Sequence, residues 1–401
     1  LIIQMSAPPL ISMFFQYSYN LVDSMFVAGI NEQALAAVSL AFPITTLMNA
    51  LSVWIGVGVN VLIAGYLGQK NQQKANSAAA LGVVISVVVG VLINFLSLFI
   101  INPYYSAFTQ NKEIFEYGIA YMSVCVFMQI PNMVHIVIQK ILQATGNMIA
   151  PMWFQIAGVV FNFVFDPLLI FGIGPFPKMG VVGAAVATVL GLEPQMIKLI
   201  FSYGLPSFVM NALGAFTVNF ANMFLVRYSD TAVAFFGAYF KVQQLIFMTV
   251  NGLIQGCLPI MRFNYRAKEY GRLKQANKSG TIIATVMMIV GMLLVLIFPK
   301  EILFLFSASE EMCAFGVPAM RIMSLGFVFS GFSAMIATYE QATDSIMPGV
   351  VVQLLRQGVL LVPVIWLLNS AVQMTGIWLA FPITEFVTFL VAVVFAKIKN
   401  H

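Results

Sequence analysis

"QAT", residues 143–145 within "ILQATGN" (141–147), returns as residues 341–343 within "YEQATDS" (339–345), 198 positions further on. Sliding the chain against itself by that offset also superposes Met25 and Phe26 on Met223 and Phe224, Phe42 on Phe240, Gly58 on Gly256 and Lys70 on Lys268. Each tripeptide follows the fourth apolar run of its half. A fixed long period of this kind is the mark of an internal repeat, so the chain reads as two copies of one six-helix unit.

The composition says what those units sit in. Of 401 residues, 61% are apolar and 8% charged, with a mean hydropathy of +0.95. Soluble domains carry about 25% charged residues, so this is an integral membrane protein. A spanning helix needs about 20 apolar residues, and twelve candidate runs fall near 6–29, 43–67, 78–101, 118–142, 149–172, 180–191, 204–227, 238–260, 281–298, 316–339, 349–369 and 376–397. The expected fold is an all-α membrane protein of twelve transmembrane helices in two pseudo-symmetric six-helix bundles. The first bundle covers 1–191, a loop covers 192–203 and the second bundle covers 204–401. The sixth run is too short to span, so a piece of chain is expected to be missing between Gly191 and Gln195.

Because six is even, the two halves share one orientation, as parallel repeats do in transporters with a cavity between them. Placing the N-terminus in the cytoplasm puts twelve Lys and Arg on the inner side, from Lys70 and Lys74 through the basic run Arg262 to Lys278 and on to Lys397 and Lys399. Only Lys112, Lys178, Arg227 and Lys300 fall outside. The positive-inside rule therefore places both termini in the cytoplasm, and the net charge of +5 needs no nucleic acid to explain it. Cys125, Cys257 and Cys313 are odd in number and scattered, which implies no disulfide framework. There is no phosphate-binding G-x-x-x-x-G-K-[ST] loop and no His/Cys metal motif. Uphill work would have to draw on something other than ATP bound to this chain.

A few ionisable residues lie inside the runs: Asp23, His135, Asp166, Arg321, Arg356 and Glu385. A charge at the bilayer centre costs roughly 2.5–3.5 kcal/mol on insertion scales, so each must face protein or water and is a functional candidate. Asp23 and Asp166 each lie six residues before the outer end of an outward-running helix, which puts both about 9 Å below it. Each also continues a polar stripe. Gln16, Asn20 and Asp23 fall at i, i+4 and i+7, and Gln155, Asn162 and Asp166 at i, i+7 and i+11, so each set shares one helix face. Two such stripes predict a hydrated cleft in the first bundle. At the 198 offset the second half has Gly214, Ala221, Leu360 and Val364 where the first has Gln16, Asp23, Asn162 and Asp166.

Pro167 has no N–H to give, which frees the Phe163 carbonyl and lets the fifth helix bend at Asp166. Arg356 and Glu385 are expected to form a structural ion pair in the second bundle, and His135 to be satisfied by a neighbouring helix. Lys112, Glu113, Glu116, Glu310 and Glu311 read as solvated loop charges. The spacing Gly180, Ala184, Thr188 favours close helix packing, with the Thr188 hydroxyl offered to the cleft.

These residues, "NLVDSMFVAG" (20–29), "QATGN" (143–147), "NFVFDPLLIFG" (162–172) and "FNYRAKEYGRLKQA" (263–276) on a two-times-six plan, resemble the multidrug and toxic compound extrusion (MATE) family, in its DinF and MepA-like bacterial branch. The resemblance implies a multi-pass antiporter of the bacterial cell membrane. It would expel lipophilic, often cationic, small molecules in exchange for H⁺ or Na⁺, by alternating access. The family's acidic site carries over to Asp23 and Asp166, and its polar neighbours to Gln16, Asn162 and Thr188, with Na⁺ at the two acids as one form of the coupling ion. The second-bundle acidic site of the NorM-like branch has no counterpart in the seventh helix here. No cofactor, no nucleic acid and no enzymatic activity are implied; a monomer among membrane lipids is expected. The rival within the same helix plan is a flippase for lipid-linked precursors, which would want a strongly basic cavity to hold pyrophosphate.

Overall fold

Where the chain stops being helical is what repeats most faithfully. In the computed structural model, α2 (Glu32–Gly68) ends at Lys70 with φ +58°, and α7 (Asp230–Arg266) ends 198 residues later at Lys268 with φ +62°. After the fourth span of each half the left-handed residue is Gly146 (φ +86°) in one case and Asp344 (φ +64°) in the other, again 198 apart. The structure describes residues 1–28, 32–108, 111–153, 155–156, 194–225, 227–306 and 309–399, with the backbone alone for 18–28, 32–39, 194–199, 396–399 and scattered positions from 42 to 234. Among them there is no strand.

The first half contains α1 (Ile2–Ala28), α2, α3 (Gln72–Phe108), α4 (Lys112–Phe127) and α5 (Gln129–Ala144), then helical residues 149–153 and 155–156. The second contains α6 (Pro194–Leu225), α7, α8 (Tyr270–Ile297), the short α9 (Pro299–Phe304), α10 (Glu310–Ser324), α11 (Phe327–Ala342), α12 (Ile346–Leu354), α13 (Leu361–Val372) and α14 (Met374–Lys399). Seven helices among the described residues are long and apolar enough to cross a membrane, and the bent pair α4–α5 makes an eighth. These coincide with expected spans two to four and eight to twelve; α1 and α6 lie over spans one and seven. The fifth and sixth expected spans, and the stretch thought to be missing after Gly191, fall mostly outside the described residues.

Local chemistry sets the helix starts. Asn111 caps α4 by accepting from the Glu113 and Ile114 amides, Ser229 caps α7 through Ala232, and Ser309 caps α10 through Met312. Each satisfies amides that the first turn leaves without partners. Both fourth spans break at one place for different reasons. In the first half, Pro131 cannot donate to the Phe127 carbonyl, and α4 meets α5 at 41°. In the second, Gly326 occupies the junction, where a Cβ would lie 3.2 Å from Pro382 Cα and 3.3 Å from Glu385 Cγ.

Contacts divide the chain into two compact units, Ala7–Phe208 and Leu1–Ser6 with Val209–His401. The opening turns of each half thus belong with the other half's helices. Ser6 Oγ donates to the Leu253 carbonyl in the one unit, and Trp54 Nε1 donates to the Phe201 carbonyl in the other. The crossover in α1 falls beside Pro8 and Pro9, and Pro8 counts to Pro206 in α6.

In the Ala7–Phe208 unit, α2 is the central helix. Its Asn60 donates to the Lys140 carbonyl (2.9 Å), and Gln129 donates to the Met48 carbonyl (3.1 Å) and Ser52 Oγ (2.9 Å), so buried amides pin α2 to α5. In the other unit the same pair of elements, α7 and α11, is held by charge. Buried Arg262 donates to the Ala342 carbonyl (3.1 Å) and Asp344 Oδ1 (2.7 Å), while Arg266 reaches Asp344 Oδ2 at 3.0 Å.

Candidate functional site

Three glutamines form a hydrogen-bonded line in the Ala7–Phe208 unit. Gln139 on α5 donates through Nε2 to Gln155 Oε1 at 3.0 Å, and Gln155 donates to Gln16 Oε1 on α1 at 3.4 Å. All three side chains are half-buried. A primary amide has donors at one end and acceptors at the other. The line therefore has a direction, and it stays polar without charge.

Two of the expected cleft residues, Gln16 and Gln155, are thus brought together from helices 139 residues apart. Asn20 and Asp23 lie on α1 one and two turns beyond Gln16, in the part of the helix described by backbone alone. Asn162, Asp166, Pro167 and Thr188 lie outside the described residues, as does the Gly180–Ala184 packing motif. The structure adds Gln139, which the ionisable-residue reading passed over because an amide carries no charge. The signal was available: a long amide in an apolar run needs a partner.

Two of the second bundle's intramembrane charges are matched to each other. Arg356 Nε and Glu385 Oε1 are 2.7 Å apart, with side chains 7% and 14% exposed. The guanidinium carbon lies 4.9 Å from the centre of the Phe247 ring, a cation–π placement. The expected ion pair is therefore present. Arg321 is exposed and donates to the Leu296 carbonyl. Lys112 pairs loosely with Glu116 (3.9 Å) at the exposed start of α4, and Glu310 and Glu311 lie exposed in the first turn of α10. His135 lies on α5 one turn before Gln139. Its side chain is exposed, and no hydrogen bond joins it to a described residue. Among the described residues no group of three His, Cys, Asp or Glu could hold a metal ion.

The repeat also shows in comparison with known proteins. The MatE family model matches residues 8–168 and again 206–367, two segments that begin 198 residues apart. The multidrug export protein MepA of Staphylococcus haemolyticus (strain JCSC1435) is 25% identical over 426 residues, covering 99% of this chain and 93% of that protein. MepA of Staphylococcus aureus (strain MSSA476) is 23% identical over 401 residues, covering 93% and 87%. Among solved structures, an outward-facing multidrug resistance MATE transporter of the MOP superfamily superposes with a TM-score of 0.90 at 23% identity, covering 99% of this chain and 95% of that one. A Pyrococcus furiosus MOP superfamily transporter, described as having a binding pocket of reversed polarity, matches with the same TM-score, identity and coverage. The likeness in fold is to two-lobed, twelve-helix transporters, and the two family matches together cover well over half of the chain: this protein belongs to the MatE family of membrane transporters.

Proposed function

We propose that the protein is a cation-coupled antiporter that exports lipophilic, often cationic, small molecules by alternating access. H⁺ or Na⁺ would be taken up at Asp23, Asp166 and Asn162 in the first bundle. The Gln16–Gln155 hydrogen bond carries this reading, because it joins the two polar stripes at their inner ends. Helices one and five run the same way through the membrane, so equal counts from the joined glutamines reach equal depth. By helical count the two stripes lead outward from the joined glutamines to Asp23 on one side and to Asn162 and Asp166 on the other. The amide line behind them, with Asn20 between, supplies the neutral polar wall that an ion needs on leaving water.

Pro167 is the hinge beside Asp166, and Thr188 a further hydroxyl on the cleft wall. Loading the acids would favour one arrangement of the bundles over the other, which is all a ligand can do to a two-state equilibrium. The relatives are multidrug exporters by name, and the same substrate class is proposed here, in a bacterial cell membrane with both termini inside. A flippase of lipid pyrophosphates is disfavoured: of its two intramembrane arginines, Arg356 is already paired and Arg321 is exposed at the outer end of a span. The test is counterflow in proteoliposomes with proton and sodium gradients imposed separately. Asp23→Asn and Asp166→Asn should each abolish gradient-driven export; full export in both variants would refute the reading.

A further inference from the structure

The exposed face of α8 changes character part-way along the helix. Ile282, Val286, Val290, Leu294 and Ile297 recur at helical spacing and are each at least 50% exposed, so nothing in the chain covers them. An apolar stripe left bare along a span is the face that lipid tails fill. Followed back toward the start of the helix, the same stripe passes through Lys278 and Lys274, both exposed. From Lys278 to Ile297 is about 28 Å by helical rise, close to the roughly 30 Å of a hydrocarbon core. Lys278 thus stands at the hydrocarbon boundary, with Lys274 one turn, about 6 Å, further into the headgroups. Tyr270 and Phe263 are exposed at the same end, as aromatic residues are at a membrane interface.

These two lysines exceed what orientation in the membrane needs. Both halves already place a left-handed lysine and a second basic residue four positions on at this end, Lys70 and Lys74 in the first, Lys268 and Arg272 in the second. Counting back 198 residues from Lys274 and Lys278 gives Asn76 and Ala80, so the equivalent face of α3 is neutral there. Nor are the lysines answered from within the bundle. Four residues apart on one face they repel each other, and among the described residues no ion pair involves either. The acids at this end of the second bundle are Glu269, Glu340 and Asp344. Asp344 is taken by Arg262 and Arg266, and Glu340 is buried. Glu269 lies five residues before Lys274, off the spacing that brings helix side chains together. A Cβ at Gly271, one turn before Lys274, would meet nothing within 4 Å, so the approach is open.

From these observations we propose that the start of α8 holds one anionic phospholipid, its phosphate at Lys274 and Lys278 and an acyl chain along Ile282, Val286 and Val290. The occupant is a lipid rather than a soluble anion because the cationic pair runs directly into the apolar stripe, and one amphipathic molecule with an acidic head matches both. Lysine suits the headgroup: its four-carbon stem lies along apolar surface while the ammonium reaches outward to the phosphate. The cytoplasmic leaflet carries a negative surface potential from its anionic lipids, and the Lys and Arg count assigns this end of α8 to that side. The site lies in the other bundle from Asp23 and Asp166 and does not depend on them.

The experiment is native mass spectrometry of the full-length protein titrated in detergent with phosphatidylglycerol or phosphatidylcholine, which counts bound lipids one at a time. The first phosphatidylglycerol is expected to bind about tenfold or more tightly than the first phosphatidylcholine, since each lysine near an anionic headgroup is worth about fivefold. Lys274→Gln/Lys278→Gln should remove that preference and leave phosphatidylcholine binding unchanged. Lys70→Gln/Lys74→Gln, which takes the same charge from the first bundle, should leave both affinities within about twofold. Equal affinity of the wild-type protein for the two lipids overturns the proposal. So does equal weakening by the two double variants, which would mean a diffuse field rather than a site. Displacement of the bound lipid by an equal concentration of inorganic phosphate would overturn it too, leaving a soluble-anion site in its place.

Discussion

The two halves of this chain share a skeleton and differ in what they bury. Lys70 and Lys268 both turn left-handed at the end of the second helix, and the fourth spans break at Met128 and at Leu325–Gly326. Behind that common backbone, α2 is tied to α5 by Asn60 and Gln129, whereas α7 is tied to α11 by Arg262 and Asp344. The fifth-helix glutamine meets other amides in one half and, in the other, stands three residues from a buried Arg–Glu pair. A backbone plan is therefore kept by whichever residue supplies the needed break or bond. The chemistry is free to diverge, because partner identity is a pairwise property while helix length and turn position are local.

Five single substitutions and one double probe that comparison. The largest effect is expected where a charge is left alone. Glu385→Ala strands Arg356 in a buried setting and should cost about 3–5 kcal/mol, whereas Arg356→Met with Glu385→Leu should be near neutral. Thermal unfolding in detergent separates the two, and equal losses would mean that the pair itself holds the bundle. Next is Asp344→Ala, which removes an acceptor shared by Arg262 and Arg266; a loss of about 2–3 kcal/mol is expected. That substitution has no first-half equivalent, since Gly146 occupies the position and bonds nothing through a side chain.

Smaller, and more discriminating, is the pair Gly58→Ala and Gly256→Ala. A Cβ at Gly58 would sit 1.8 Å from the Ile200 carbonyl oxygen, which is backbone, while at Gly256 the nearest atom is the Ser6 hydroxyl at 2.3 Å, which can rotate. The first should cost at least about 2 kcal/mol and the second about 1 kcal/mol; the reverse order in unfolding midpoints would contradict the packing described. The smallest effect is expected at Gly146→Ala. There φ is +86° but no atom lies within 4 Å, so only the left-handed backbone penalty of about 1 kcal/mol applies.

Much of this was legible beforehand, and the rest failed for identifiable reasons. The Arg356–Glu385 pair was readable because two opposite charges in one apolar half have few other places to go. Whether His135 is satisfied by a neighbouring helix turns on residues past Gln155 that lie outside the described residues. Gln139 was missed because charge was the filter. The fourth span read as one helix from 118 to 142, since Pro131 alone does not fix the size of a bend that packing sets at 41°.

By itself the sequence determined the solvent, the span lengths and the 198-residue repeat, because apolar run length and self-similarity are properties of a linear string. Only the tertiary structure decided that Gln16 meets Gln155, and that Asp344 adopts φ +64° between two arginines. Such meetings depend on which helix faces turn toward each other, and that is settled by the packing of all the helices at once rather than by any stretch of chain.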